Sequence, residues 1–159
     1  MKLTEIFNTI PDVQWSKVSN VHLGEFTLDD VDYVVEIGEF ETDSDKTLVN
    51  LGFTANDSII AVNGKKPAAR VIGAVINAAI SKIQEIKPDA ILILIDKNSG
   101  LVDSRKSLYT ALFSALKLKM SIIFDSGWKE STTHWSRIFA SYNPSKEEIE
   151  QFTVIVQSK

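Results

Sequence analysis

NGKKPAARVIGAVINAAISKIQEIKPDAILILID, residues 63–96, and its continuation KNSGLVDSRKSLYTALFSALKLKMSIIF, residues 97–124, decide the architecture of this chain. Ile72, Val75, Ile76, Ala79, Ile80 and Ile83 recur at helical spacing, which predicts a helix from Pro67 or Ala68 to Ile86. Lys82, Gln84, Glu85 and Lys87 fall mostly on its wetter side. Proline is tolerated in a first helical turn, where its missing N–H costs no internal bond, and Pro88 stops the helix. Ala90 to Ile95 is too uniformly apolar for a half-exposed strand and fits a central strand covered on both faces. A second helix starts around Asp103 or Ser104, either of which can cap it, with Leu108, Leu112, Ala115 and Leu116 as its core stripe. A short strand over 120–124 follows. Strand–helix units in succession favour a layered α/β domain over a helical bundle.

Outward from this stretch, three antiparallel strands are expected at about Val21 to Leu28, Val31 to Glu41 and Thr47 to Thr54, with turns at Asp29-Asp30 and Thr42 to Lys46. Tyr33, Val35 and Ile37 take one face, and Asp32, Val34, Glu36 and Gly38 the other. A fourth strand, Ser58 to Val62, leads into the loop. Leu3, Ile6, Phe7 and Ile10 suggest an amino-terminal helix, with Trp15 and Val18 continuing its cover of the sheet edge. Trp135, Ile138, Phe139 and Tyr142 carry the spacing of a short helix. Pro144 breaks that segment, Ser145 and Glu148 have capping-box spacing, and Phe152 to Val156 reads as a last strand. The fold class is therefore α/β (α+β): one domain with a mixed sheet, antiparallel amino-terminal strands and flanking helices.

At 159 residues and 44% hydrophobic composition, one domain can bury a sizeable core. No apolar run reaches bilayer-spanning length and no signal-like segment opens the chain, so cytoplasmic residence without a membrane is the expectation. Cysteine is absent, which excludes thiol chemistry and disulfides. A net charge of −4 argues against general nucleic-acid binding.

Between Asn20 and Asp45 there are nine carboxylates and no lysine or arginine. Three readings are open: a solvated outer face, docking to a basic protein through residues such as Asp29, Asp30, Asp32 and Glu36, or metal binding. The last lacks a calcium-loop pattern, and neither His22 nor His134 belongs to a metal motif, so no metal site is expected. Asn63 to Arg70 is either an ordinary turn and helix start, or an anion site in which first-turn N–H groups are helped by Lys65, Lys66 and Arg70. Tyr109 is either packed or a proton donor, and Arg105 and Lys106 are a solvated helix face or substrate contacts. Asp125-Ser126-Gly127 is strong turn chemistry, with Asp125 as its cap or as a cation ligand. Trp128, Trp135, Phe139 and Tyr142 supply either intramolecular packing or a homodimer interface.

The segment order resembles the Gcn5-related acetyltransferase family, in which a strand leads into a phosphate-binding turn and helix, then a strand and another helix. Arg70-Val71-Ile72-Gly73 matches the start of that family's cofactor motif, with Val75 standing where the family prefers Gly or Ala. Asn98 and Ser107-Leu108-Tyr109 resemble its Asn-to-Leu-Tyr segment. The resemblance implies acetyl-coenzyme A held by Lys65, Lys66, Ala68, Arg70 and Gly73, and Tyr109 as general acid for the departing thiolate. Glu36 or Glu39 would then serve as base for an amine acceptor. The same pattern is similar to uncharacterised bacteriophage proteins, through Ser104-Arg105 followed by Leu108-Tyr109. Without a complete catalytic motif, the first expectation is a non-enzymatic acidic protein-binding module of inhibitor or immunity type, and the alternative is an acetyl-coenzyme A-dependent N-acyltransferase.

Overall fold

The computed structural model describes residues 12–28, 30–55, 58–59, 67–99 and 102–157, with side chains left out at 54–72, 99 and 102–104. The expected amino-terminal helix, Asp29, Lys65 and Lys66 lie outside the described residues, as do the side chains of Ala68 and Arg70.

A central mixed sheet with antiparallel amino-terminal strands is flanked by helices. β1 (Gln14–Val18), β2 (Val21–Leu28), β3 (Val31–Glu41) and β4 (Thr47–Ala55) form an antiparallel meander, and β5 (Ser58–Ile59) pairs with β4. Helix α1 (Pro67–Ile86) crosses to β6 (Ala90–Asp96), which runs parallel to β4. After a 3₁₀ turn (Lys97–Ser99) and α2 (Val102–Lys119) come β7 (Phe124–Asp125), β8 (Lys129–Glu130), β9 (His134–Ala140) and α3 (Lys146–Gln157). The sheet order is β1-β2-β3-β4-β6-β9-β7, with β8 on β9.

Strand alternation sorts the core into two layers. Val35, Ile37, Val49, Leu51, Phe53, Ile91, Ile93 and Phe139 pack under α1 and α2. Phe40, Leu48, Leu92 and Ile138 lie on the opposite face, where α3 covers them with Phe152. This explains the unbroken apolar run of β6: Ile91, Ile93 and Ile95 serve one layer, Ala90 and Leu92 the other. Helix α1 ends as expected before Pro88, with Lys87 at φ 56 and its N–H bonded to the Ile83 carbonyl at 2.8 Å.

Four expectations are corrected. Trp15 and Val18 belong to edge strand β1, not to a covering helix. The Trp15 ring lies so close over Gly24 that a Cβ there would come within 2.7 Å of it. The strand expected over 120–124 is confined to Phe124–Asp125, because the Met120 N–H still bonds the Leu116 carbonyl at the end of α2. The segment expected as a helix around Trp135 is β9. Trp135 and Phe139 sit in the α1/α2 layer and Ile138 in the α3 layer, so apolar residues occur on both faces and mimic i, i+3, i+4 spacing. The expected last strand is α3. Its capping box is made on both sides, Glu148 N–H to Ser145 Oγ at 3.1 Å and Ser145 N–H to Glu148 Oε1 at 3.2 Å. Ile149, Phe152 and Val156 then dock onto the sheet, and that burial overrides the strand preference of Thr153 to Val156.

Candidate functional site

Helix α3 covers only part of its face of the sheet. On the side opposite α1, the residues of β1 and β2 and those of β3 up to Glu36 are exposed or half-buried, and acidic and apolar side chains alternate there; α3 covers the face from Phe40 onward. The Leu28↔Val31 closing pair sets the register, placing Thr27 opposite Asp32, Glu25 opposite Val34 and Leu23 opposite Glu36. Glu25 therefore stands diagonal to both Asp32 and Glu36 on one surface, about 7–8 Å from each by the geometry of diagonal neighbours, with those two spaced four residues along β3. Half-exposed Val21, Leu23 and Val34 lie between and beside them, and Val18 is 61% exposed.

Asp32 accepts a 2.6 Å hydrogen bond from Thr27 Oγ1. Among the described residues no cation pairs with Glu25 or Glu36. Asp30 projects from the adjoining turn at φ 64, a left-handed conformation that Asp tolerates better than most residues. A hollow of about 760 Å³ opens at this end of the sheet, lined by Asp12, Glu25, Asp32 and the stacked rings of Phe26 and Tyr33, whose centroids are 5.4 Å apart.

Glu25 shares the face of Asp32 and Glu36 although the acidic run alone does not single it out. Its signal is the two-residue turn at 29–30, from which pairing can be counted back to Glu25 opposite Val34. Glu39, in contrast, lies on the helix-covered side at the sheet margin, where its Oε1 is 2.8 Å from His22 Nε2.

A second cluster occupies the gap between β4 and β6. These strands pair only through Leu48↔Ala90, Val49↔Ile91 and Asn50↔Leu92, then part. Beyond that point the β4 carbonyls meet α2 side chains. Arg105 Nη2 donates to the Phe53 carbonyl at 3.1 Å, and the Tyr109 hydroxyl lies 3.5 Å from the Leu51 carbonyl. Arg105 Nη1 is 3.5 Å from the Tyr109 oxygen, while Arg105 Nε has no partner among the described residues. Tyr109 is 1% exposed and Arg105 8%. Burial pushes the Tyr109 hydroxyl above its ordinary pKa, and the neighbouring Arg105 charge opposes that rise.

The expected solvated pair Arg105 and Lys106 thus divides. Arg105 is internal, and the Lys106 ammonium lies 3.3 Å from the centroid of the Trp135 ring. Tyr109 packs beneath the helix-covered face and Glu36 stands on the open one, so the sheet separates them. Gly73 and Val75 are buried in the body of α1, past the first-turn N–H groups that would face an anion.

Asp125 caps its turn and anchors an arginine. Its Oδ1 accepts from Gly127 N–H at 2.8 Å, and Arg137 binds both oxygens at 3.0 and 2.7 Å. The Arg137 hydrogen bond is the main reason its carboxyl lies below the ordinary range. The four aromatic residues expected at a self-interface do not share a surface. Phe139 is buried against Phe113 with ring centroids 3.5 Å apart, whereas Tyr142 packs in the α3 layer and donates to Glu148 at 2.8 Å. Among the described residues no three His, Asp or Glu side chains gather as a metal site, and no helix is long and apolar enough to cross a membrane. No protein-family model and no curated protein matches the sequence.

Proposed function

We propose that the protein is a non-enzymatic docking module, of inhibitor or immunity type, that uses the open face of β1 to β3 to bind a basic protein. The observation that carries this is the diagonal of Glu25, Asp32 and Glu36, with no cation paired to Glu25 or Glu36 among the described residues and with half-exposed Val21, Leu23 and Val34 interleaved. Like charges on neighbouring strand positions repel. A cationic partner relieves that repulsion while covering the valines and leucine, so charge sets encounter rate and selectivity and apolar contact adds affinity. The remainder of the chain then serves as a rigid support.

The test is recovery of bound proteins from native cells, followed by calorimetry of the purified pair at low and moderate salt. Binding that weakens with salt and with reversal of Glu25, Asp32 and Glu36 to lysine supports the proposal. A partner indifferent to the reversals, or no specific partner, overturns it.

A second reading, N-acyl transfer from acetyl-coenzyme A, draws support from the β4–α1–β6–α2 order and from the parting of β4 and β6 beside Tyr109. In it, Lys65, Lys66, Arg70 and N–H groups from Ala68 to Gly73 hold the pyrophosphate, and the pantetheine arm passes Ile93 and Ile95. The acceptor amine attacks the thioester carbon, the C–S bond breaks, the thiolate takes the Tyr109 proton, and Glu39, on the Tyr109 side of the sheet where Glu36 is not, takes the amine proton, directly or through water. The buried Tyr109 would first have to be uncovered. Calorimetry with acetyl-coenzyme A and desulfo-coenzyme A decides: no heat with either one removes this reading.

A further inference from the structure

We infer that the gap between β4 and β6 receives a small ligand bearing one oxyanion, a carboxylate or a phosphate, gripped by Arg105 with Tyr109 beside it. A guanidinium stays protonated in proteins, so Arg105 brings a permanent charge into a site that is 92% shielded from water. Its recorded partners, the Phe53 carbonyl and the Tyr109 hydroxyl, satisfy N–H groups but carry no negative charge. No carboxylate pairs with it among the described residues, and Nε is left without an acceptor. A buried cation in that state is costly, and an anion able to accept from Nε cancels both the charge and the orphaned donor.

The local architecture supplies a reason why Arg105 Nε is left unsatisfied by the described residues. Leu51 and Phe53 follow the last residue of β4 that pairs with β6, and their carbonyls turn to α2 side chains where a continued ladder would have closed the gap. The Arg137 corner supplies the contrast. There a guanidinium of the same chain meets both oxygens of Asp125 at 3.0 and 2.7 Å, the planar two-point match that the Arg105 side chain lacks. Arg105 presents the donor and the charge, and the missing half is the oxyanion. The Tyr109 hydroxyl accepts from Arg105 Nη1 and gives its one proton to the Leu51 carbonyl, both at a long 3.5 Å, and by turning that proton from Leu51 it gives a second hydrogen bond to the same group.

The inference is independent of acidic-face docking, and it requires neither a thioester nor proton transfer. It is tested on the intact protein by following arginine Nε–H resonances while sodium acetate or inorganic phosphate replaces chloride at constant ionic strength. The expected result is a saturable shift of the Arg105 signal and slower exchange of its proton with water, with Arg137 unmoved. Saturation by acetate alone, phosphate alone or both supports the site and identifies its chemistry as carboxylate, phosphate or either. Arg105→Lys removes the assigned signal and the anion-dependent rise in melting temperature, whereas Glu36→Lys leaves both. If the Arg105 resonance moves with neither anion, or only in step with Arg137, the inference falls, whether or not the variants fold.

Discussion

Tyr33, Val35 and Ile37 occupy the same strand as Asp32, Val34 and Glu36, yet the two sets meet different surroundings. The first set lies under helices, with Val35 and Ile37 fully buried; in the second, Asp32 and Glu36 are exposed and Val34 half-buried. Over residues 32–37 the strand thus divides its labour by parity: Tyr33, Val35 and Ile37 supply apolar burial, while Asp32, Val34 and Glu36 stand on the open face. Stability and the proposed recognition are therefore separable by mutation over residues 32–37, where the apolar contacts lie on one side and the exposed carboxylates on the other.

The harshest way to probe that separation is on the covered side. Ile37→Ala should lower the unfolding free energy by about 2–5 kcal/mol, the range for emptying a buried aliphatic site. Urea unfolding measures it, and a loss under about 1 kcal/mol would mean that the α1 layer is far looser than its burial implies. On the open side, Asp32→Lys with Glu36→Lys should leave unfolding within about 0.5 kcal/mol of the parent. The same pair of changes should weaken binding of the basic partner at least about tenfold, or 1.4 kcal/mol. Equal damage to folding would show that the face is structural. Ser145→Ala should cost about 1 kcal/mol by removing the cap of the helix that covers the other part of that face.

The smallest expected effect concerns pH. Asp125 titrates below its ordinary value of 3.8 when folded, so its contribution is present above the unfolded pKa and is lost as pH falls through the folded one. Asp125→Asn should flatten the acid side of the stability profile between the unfolded pKa and the lower folded one, and leave the slope at neutral pH unchanged. An unaltered acid slope would show that the Arg137 pair does not contribute.

Local chemistry made much of this legible. Proline at each end of α1, alternation in β3 and the two-residue turn at 29–30 are short-range signals, and together they place β2, β3, β4, α1 and β6 within a residue or so. The shared face of Glu25, Asp32 and Glu36 was visible by the same route, since the turn fixes the register and the register brings them together. β9 and α3 were misread because long-range burial set their states. A strand covered on both sides loses its period of two, and a β-branched segment becomes helical once its cap and its docking surface are in place. Arg105 was opaque for a related reason. Beside Lys106 it resembles any solvated helical arginine, and only the parting of two strands distant in sequence encloses it.

That parting also bears on how the chain folds. β1 to β4 are successive strands joined by tight turns, so each pairing closes only a short loop. The seam between β4 and β6 must bring together residues such as Asn50 and Leu92, 42 positions apart, and its reward is three paired positions. Loop closure grows costlier with separation while so short a ladder returns little, which makes the seam a late event and the meander an early one. Kinetic analysis should accordingly give Val35→Ala a high φ-value and Leu92→Ala a low one, with the reverse order placing the nucleus at the seam. On this route α1 forms against a sheet that is still half built, and the second half of the sheet condenses onto a hydrophobic layer already in place.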